Sequence, residues 1–537
     1  MPTNATPTNS TPSSLTGALT TPHALATEAG VRAYRDGGNA IDAAIAAAAV
    51  LTVVYPHNVA LGGDLVALVS TPDGTVRCVN ASGWAGAAVD AAGLRARHSS
   101  RLPPRGADTV TVPGGVRGWE VLRRFGARLS WQRTLADAES IARAGAPVAP
   151  SLASHLADPE NADLVGTEDF DRVFRADGRL LNQHDVLIQP ALADTFAKLR
   201  KAGPDEFYAG DVAERTVAYL RMRGSSLAAE DFASFQPETV EPISSTFGDL
   251  TVLTSPPNTH GFLLLRALRA VEELGIDDPL GRGLGTLMRV FHRGNALRAE
   301  HLGDPRYADV DVVTLINNGL DETAELVGAQ AERARVPHGD TVGVAAADGD
   351  GYAVSLIQSV YHAFGSGLID PATGILFHNR GTGFSLDAAS PNVIAPRKRP
   401  AHTLMPAMTI HRGAPRHVLA TMGGQGQPQI LAQVLLRAVG GATAQAAVSA
   451  PRAIVGLQAD GATVDSVAVE ADMPSVAFDS VGKAGLVTTG VAAHTESLGH
   501  ANVVVVDADG SMTAASDPRS DGAAVVAHYP RMATPET

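Results

Sequence analysis

Residues 43–54 form the longest apolar run in the chain, too short to cross a bilayer, and predict a buried helix that Asn39 is placed to cap. A helical pattern over residues 25–36 precedes it and stops at Gly37-Gly38, so two deeply packed helices stand in series. Asp42 falls in the first turn of the second, where a carboxylate meets the positive helix end. The spacing then shortens: residues 65–70 and 75–82 flank Pro72-Asp73-Gly74 as a hairpin. Residues 91–284 read as mainly helical, and a helix over 285–301 is terminated by Leu302-Gly303-Asp304-Pro305. Residues 321–335, polar and helical in spacing, read as a surface linker.

A second block of alternation begins at residue 338. Two strands are predicted about the Asp348-Gly349-Asp350-Gly351 turn, with Thr341 at the head of the first. A further hairpin, 407–411 and 416–422, runs into Gly423-Gly424-Gln425-Gly426, and a helix over 428–439 follows. That order of strand, glycine loop and helix leaves backbone N–H groups aimed at one point, suited to an anion or a developing oxyanion. A nucleotide is a weaker reading, since the loop has neither the Lys-Ser/Thr pair of a P-loop nor a complete Gly-x-Gly-x-x-Gly. Strands at 502–507 and 512–515 complete a pattern of short-turned antiparallel sheets flanked by long helices, a layered α/β (α+β) architecture.

Charge and composition narrow the function. The net charge of −14 argues against a nucleic-acid partner, and the single cysteine, Cys78, excludes an internal disulfide and any thiolate cluster. Residues 1–20 read as a disordered Ser/Thr/Pro tail without the features of a signal peptide; a cytoplasmic protein without membrane or metal is expected. The 17 histidines form no His-x-His or His-Glu-x-x-His pattern. The Asp348–Gly351 run lacks the glutamate that would close a calcium loop. No Gly-x-Ser-x-Gly elbow exists, and Ser366 sits in a glycine turn. What remains is Thr341 with the Gly423-Gly424 loop. A threonine is a good nucleophile when it begins a chain, because its α-amine, of pKa about 7.7–8.0, takes the hydroxyl proton. That requires cleavage after Asp340.

The chain closely resembles the γ-glutamyltransferase (γ-glutamyltranspeptidase) family. The matching runs are Ala26-Thr27-Glu28-Ala29-Gly30, Gly37-Gly38-Asn39-Ala40-Ile41-Asp42-Ala43-Ala44, Leu302-Gly303-Asp304-Pro305, Phe364-Gly365-Ser366-Gly367, Gly423-Gly424, Ala450-Pro451-Arg452 and Ser516-Asp517-Pro518-Arg519, in the family's order. The resemblance implies a four-layer αββα sandwich of the N-terminal-nucleophile hydrolase type. It implies self-cleavage at Asp340–Thr341 into a large piece, 21–340, and a small catalytic piece, 341–537, which share one fold. Thr341 would be the nucleophile in processing and catalysis, Ser359 a hydroxyl that positions its amine, and Gly423 and Gly424 the oxyanion hole. No cofactor is implied.

The departures concern the substrate. Where glutamate-binding members carry an arginine for the α-carboxylate, this chain has Ser82-Gly83-Trp84; where they carry an aspartate for the α-amine, it has Gly383, preceded by Thr382. Tyr361 stands in place of the usual asparagine, Arg380 in place of glutamine or glutamate, and His402-Thr403 in place of paired serines. Larger side chains shrink the pocket, and Arg380 with His402 would favour a negative group. The expected activity is hydrolysis of a small anionic amide, as in the oxamate amidohydrolase branch. The alternatives are a γ-glutamyl hydrolase or transferase of glutathione metabolism, and an idle relative serving as a scaffold. The oligomeric state stays open.

Overall fold

The computed structural model describes residues 14–327, 339–457 and 462–530. Two antiparallel sheets face each other. The first contains β1 (Ser14–Thr21), β2 (Asp64–Ser70), β3 (Val76–Ala81), β4 (Glu238–Val240), β7 (Gly339–Asp348), β8 (Ala353–His362) and β13 (Ala523–Pro530). Their order across the sheet is β13-β1-β7-β8-β2-β3-β4, so β7, which carries Thr341 near its start, is an interior strand between β1 and β8. The second sheet is built from β5 (Ile243–Phe247), β6 (Leu250–Thr254), β9 (Ala407–His411), β10 (Ala414–Thr421), β11 (Ala501–Val506) and β12 (Met512–Ser516), in the order β12-β11-β10-β9-β6-β5.

The layer between the sheets is filled by Ala18, Val66, Leu68, Cys78, Ala345 and Ile357 from one side and by Leu253, Met408, Val418 and Val504 from the other. Small residues set the spacing. A Cβ on Gly343 would lie 2.8 Å from the Thr421 nitrogen, so β7 and β10 pass almost backbone to backbone. Helices cover both outer faces. Helices α1 (Ala24–Arg35) and α2 (Ala40–Val54) pack on the first sheet; α3 (Phe262–Glu273), α4 (Leu284–His301) and α5 (Gln427–Val439) pack on the second. The result is the αββα sandwich that the resemblance implies. Every residue of α2 is buried, as its all-round apolar sequence requires. Asn39 and Asp42 cap it reciprocally, and Asp42 also accepts the N–H groups of Arg128 and Leu129, so this carboxylate serves the fold.

Three expectations need correction. The tail does not extend to residue 20: Ser14–Thr21 pairs with both β7 and β13, because Leu15, Ala18 and Leu19 supply apolar positions to both faces of the sheet. The strands at 238–254 lie inside a region read as helical; the β5–β6 hairpin turns on Gly248 at φ 56°, and β4 and β5 occupy sheet edges, where exposed polar residues dilute the apolar alternation. The linker has no regular structure over residues 322–327, and its remainder lies outside the described residues.

Candidate functional site

Thr341 is 1% exposed, near the start of the interior strand β7. The β7–β8 register slips there: Asp340 pairs with Tyr361 and Val342 with Gln358, leaving Thr341 alone opposite Ser359 and Val360. Such a bulge bends the strand and re-aims a side chain. The Thr341 hydroxyl donates to Ser359 Oγ at 3.1 Å, and Ser359 Oγ also accepts the Tyr361 N–H at 2.7 Å. One serine oxygen therefore ties the threonine to the backbone of Tyr361.

The glycine loop closes the same end of the sandwich. Strand β10 ends at Thr421, two residues before Gly423, and the Gly424–Gly426 turn packs against β7. Gly423 and Gly424 have φ of 140° and 51°, backbone that side chains disfavour, and a Cβ on Gly423 would meet the Ile430 side chain at 2.3 Å. Pro428 in the first turn of α5 fits a position whose N–H has no helical partner.

The wall beside this pair is charged and buried. Arg380 is 2% exposed, so it does not point into solvent. Its guanidinium lies 3.3 Å over the Tyr361 ring and donates to Thr403 Oγ1 at 3.2 Å, while its Nε has no hydrogen-bond partner among the described residues. Burial draws its pKa down and Tyr361 and Asp64 act against that; the group stays a cation. Tyr361 itself holds φ 84°, unusual for a non-glycine residue, and its other neighbour is the His362 ring at 4.0 Å. The glycine at 383 and the arginine at 380 belong together. A Cβ on Gly383 would stand 2.3 Å from Arg380 Nη2, so the space that a side chain at 383 would fill is taken by the guanidinium.

His402 behaves differently from the expectation. Its Nε2 lies 3.1 Å from Asp64 Oδ2 and its Nδ1 accepts the Leu404 N–H, so both ring nitrogens are engaged. Burial, reinforced by Arg380, pushes its pKa down to about 4, and it brings no positive charge at neutral pH. Asp64 is the hub of this wall. Its carboxylate accepts the N–H groups of Gly83 and Gly114 at 3.0 and 3.2 Å and stands 3.5 Å from His378 Nδ1. Burial alone would raise its pKa; His378, His402 and the Gly83 N–H outweigh that and hold it below the ordinary carboxylate range.

Sequence reasoning missed Asp64, His378, Arg298 and His260. Arg298, from α4, donates to Gln425 Oε1 at 2.7 Å inside the glycine loop, and its Nη1 is buried without a partner among the described residues. Burial lowers it to about 10, and Tyr361 is the neighbour that counters this. His260 is fully buried with neither ring nitrogen hydrogen-bonded among the described residues; burial, and then Arg298, hold it well below its ordinary pKa. A helical signal alone marks Arg298, and nothing local marks His260. Arg298 and Arg380 both interact electrostatically with Tyr361, and His260 with both arginines.

The chain is similar to known proteins over most of its length. The family model described as gamma-glutamyltranspeptidase matches residues 26–527. A glutathione hydrolase-like proenzyme, YwrD, of Bacillus subtilis is 35% identical over 94% of this chain and 97% of its own length. An oxamate amidohydrolase proenzyme of Klebsiella pneumoniae is 34% identical over 95% of this chain and 98% of its own. Among solved structures, a cephalosporin acylase from Bacillus halodurans superposes with a TM-score of 0.85 at 31% identity, covering 98% of both chains. With the sandwich, the threonine-headed strand and a match from end to end, the chain belongs to the gamma-glutamyltranspeptidase family of N-terminal-nucleophile hydrolases.

Proposed function

We propose that this chain is a self-processing amidohydrolase that cleaves the amide of a small anionic substrate of the oxamate type. Cleavage of Asp340–Thr341 frees the Thr341 amine as base; Ser359 positions the hydroxyl. Thr341 Oγ1 attacks the amide carbon, and its proton passes through the amine to the leaving nitrogen. The oxyanion is met by backbone N–H groups of the Gly423-Gly424 loop. Water then attacks the acyl ester, returning the threonine and releasing a dicarboxylate. Arg380 takes the substrate carboxylate, Tyr361 and Thr403 hold Arg380 in place, and Arg298 adds a second cation near the glycine loop.

The observation that carries this reading is the buried Arg380 occupying the space beside Gly383, a cation where a site for an α-amine needs a carboxylate. The similarity to a glutathione hydrolase-like protein supports the second reading, a γ-glutamyl hydrolase or transferase. Against it stand Gly383 and Ser82-Gly83-Trp84, which offer no charged grip for glutamate. Cytoplasmic placement is part of the proposal; no helix among the described residues is long and apolar enough to cross a membrane.

Denaturing electrophoresis should give two bands for the natural sequence and one for Thr341→Ala; one band for both would refute the nucleophile. Ammonia release from oxamate, measured beside glutamate release from glutathione, decides the substrate. Activity on glutathione alone would overturn the proposal.

A further inference from the structure

A second set of groups converges behind β8, outside the pocket just described. Coordinating atoms of His57, His155 and Glu496 all lie within 4.8 Å of one another. His57 is fully buried; its Nε2 is 2.9 Å from Ser151 Oγ, which donates to Glu496 Oε1 at 2.6 Å, so this hydroxyl marks where imidazole and carboxylate meet. The His155 ring centroid lies 4.6 Å from that of His57. His500 adds an independent sign. It is fully buried, neither ring nitrogen makes a hydrogen bond among the described residues, and its Nε2 points at Glu496 Oε1 from 3.4 Å. Burying His57 Nδ1 and both ring nitrogens of His500 beside one carboxylate, unpartnered among the described residues, is costly unless something joins them.

We propose that His57, His155 and Glu496, with His500 as fourth ligand, form a binding site for a divalent metal ion of the zinc class. Three imidazoles and one carboxylate suit zinc, whereas calcium and magnesium prefer all-oxygen sets. Zinc–nitrogen bonds of about 2.0–2.1 Å place tetrahedral ligand atoms about 3.3 Å apart; the His57, His155 and Glu496 atoms stand within 4.8 Å of one another, and His500, 3.4 Å from Glu496, must turn in toward the two imidazoles. The position gives the ion a task. The His57 and Asn58 carbonyls accept the N–H groups of Phe364 and Val360, next to Ser359, and the His500 carbonyl accepts the Met422 N–H, next to Gly423. An ion here links the backbone that carries Ser359 to the backbone that carries the glycine loop. If the proposed cleavage occurs, it also joins the two pieces, since two ligands precede Asp340 and two follow it; the site itself does not depend on that cleavage.

The test is titration of the full chain, stripped with EDTA and dialysed, with zinc and separately with cobalt, followed by elemental analysis after gel filtration. One tightly held equivalent per chain is expected, with the visible absorption of a tetrahedral cobalt site. Glu496→Gln and His155→Gln should each weaken binding about 10-fold or more. His528→Gln, on the outer strand β13, should leave it unchanged. Thr341→Ala should bind as the natural chain does, which separates this site from the fate of the cleavage. Binding below one equivalent, or equal affinity in the natural chain and Glu496→Gln, overturns the proposal. Glu496 is partly exposed, so its variant decides the matter even if His155→Gln fails to fold.

Discussion

Replacing Arg380 by glutamine deletes one buried cation and leaves a polar stem in its place. In the natural chain the guanidinium is held by the Tyr361 face at 3.3 Å and by Thr403 at 3.2 Å, while its Nε is unsatisfied by any described residue and so available to a carboxylate. A hydrogen bond to a charged group contributes about 1.5–3 kcal/mol. Its loss therefore lowers kcat/KM for oxamate by about 10- to 150-fold. Because the carboxylate is bound alike in ground and transition states, the change should fall mainly on KM. The neutral isostere oxamide lacks the charge and should lose less than about threefold. Arg380→Lys keeps the charge and gives up the planar stack, so it should recover only part of the activity. The assay is ammonia release over a range of both amides, on protein whose two-band pattern and thermal midpoint match the natural chain. Full activity of Arg380→Gln on oxamate refutes the assignment. Equal losses on oxamate and oxamide would reduce Arg380 to a structural residue.

Gly383→Asp should set a carboxylate against Arg380 Nη2 and abolish most oxamate turnover; the reasoning fails if KM for oxamate stays put. Ser359→Ala removes the oxygen shared by the Thr341 hydroxyl and the Tyr361 N–H, so it should slow chain cleavage and also raise KM, with gel densitometry and kinetics reading the two effects separately. Stability should fall on acidification. His23, His402 and His417 are all held near pKa 4 by burial, against about 6.5 in the unfolded chain, so the unfolded state binds more protons between those values. Stability is then complete above about pH 6.5 and declines toward pH 4, by about 1.4 kcal/mol per pH unit for each histidine. Asp348, pushed up to about 6 by burial, opposes this and is outnumbered. Urea midpoints at about pH 7.5 and about pH 5 check the sign, and a midpoint that rises at the lower pH contradicts it.

Local chemistry accounts for what was legible in the sequence. Asn39, the Asp-Gly turns and the Gly423-Gly424 loop act through their immediate neighbours, so their patterns survive without tertiary information. Strand Ser14–Thr21 was missed because its Ser/Thr composition reads as a tail until two partners pair with it. Asp64 looks like an ordinary strand opening; only folding brings Gly83, Gly114, His378 and His402 to its two oxygens. His402 looks like a pocket cation in sequence and is a neutral partner of Asp64 in three dimensions. Arg298 reaches the glycine loop from a helix by a hydrogen bond to Gln425, and His260 lies near enough to Arg298 to feel its charge, which no spacing rule records.

The strand that carries Thr341 gains its meaning from one irregularity. In a regular ladder, residue 341 would face a single partner, and Ser359 and Tyr361 would project to the same face two positions apart. The slip between Asp340 and Val342 breaks that alternation and lets Ser359 Oγ reach the Thr341 hydroxyl and the Tyr361 N–H together. Tyr361, turned to φ 84°, then presents its ring to Arg380, and Gly383 leaves the guanidinium its space. The proposed nucleophile and the proposed anion site are thus consecutive links of one chain of contacts. A change in substrate charge here needs Tyr361, Arg380 and Gly383 to change as a set, because each occupies room or supplies a surface that the next requires.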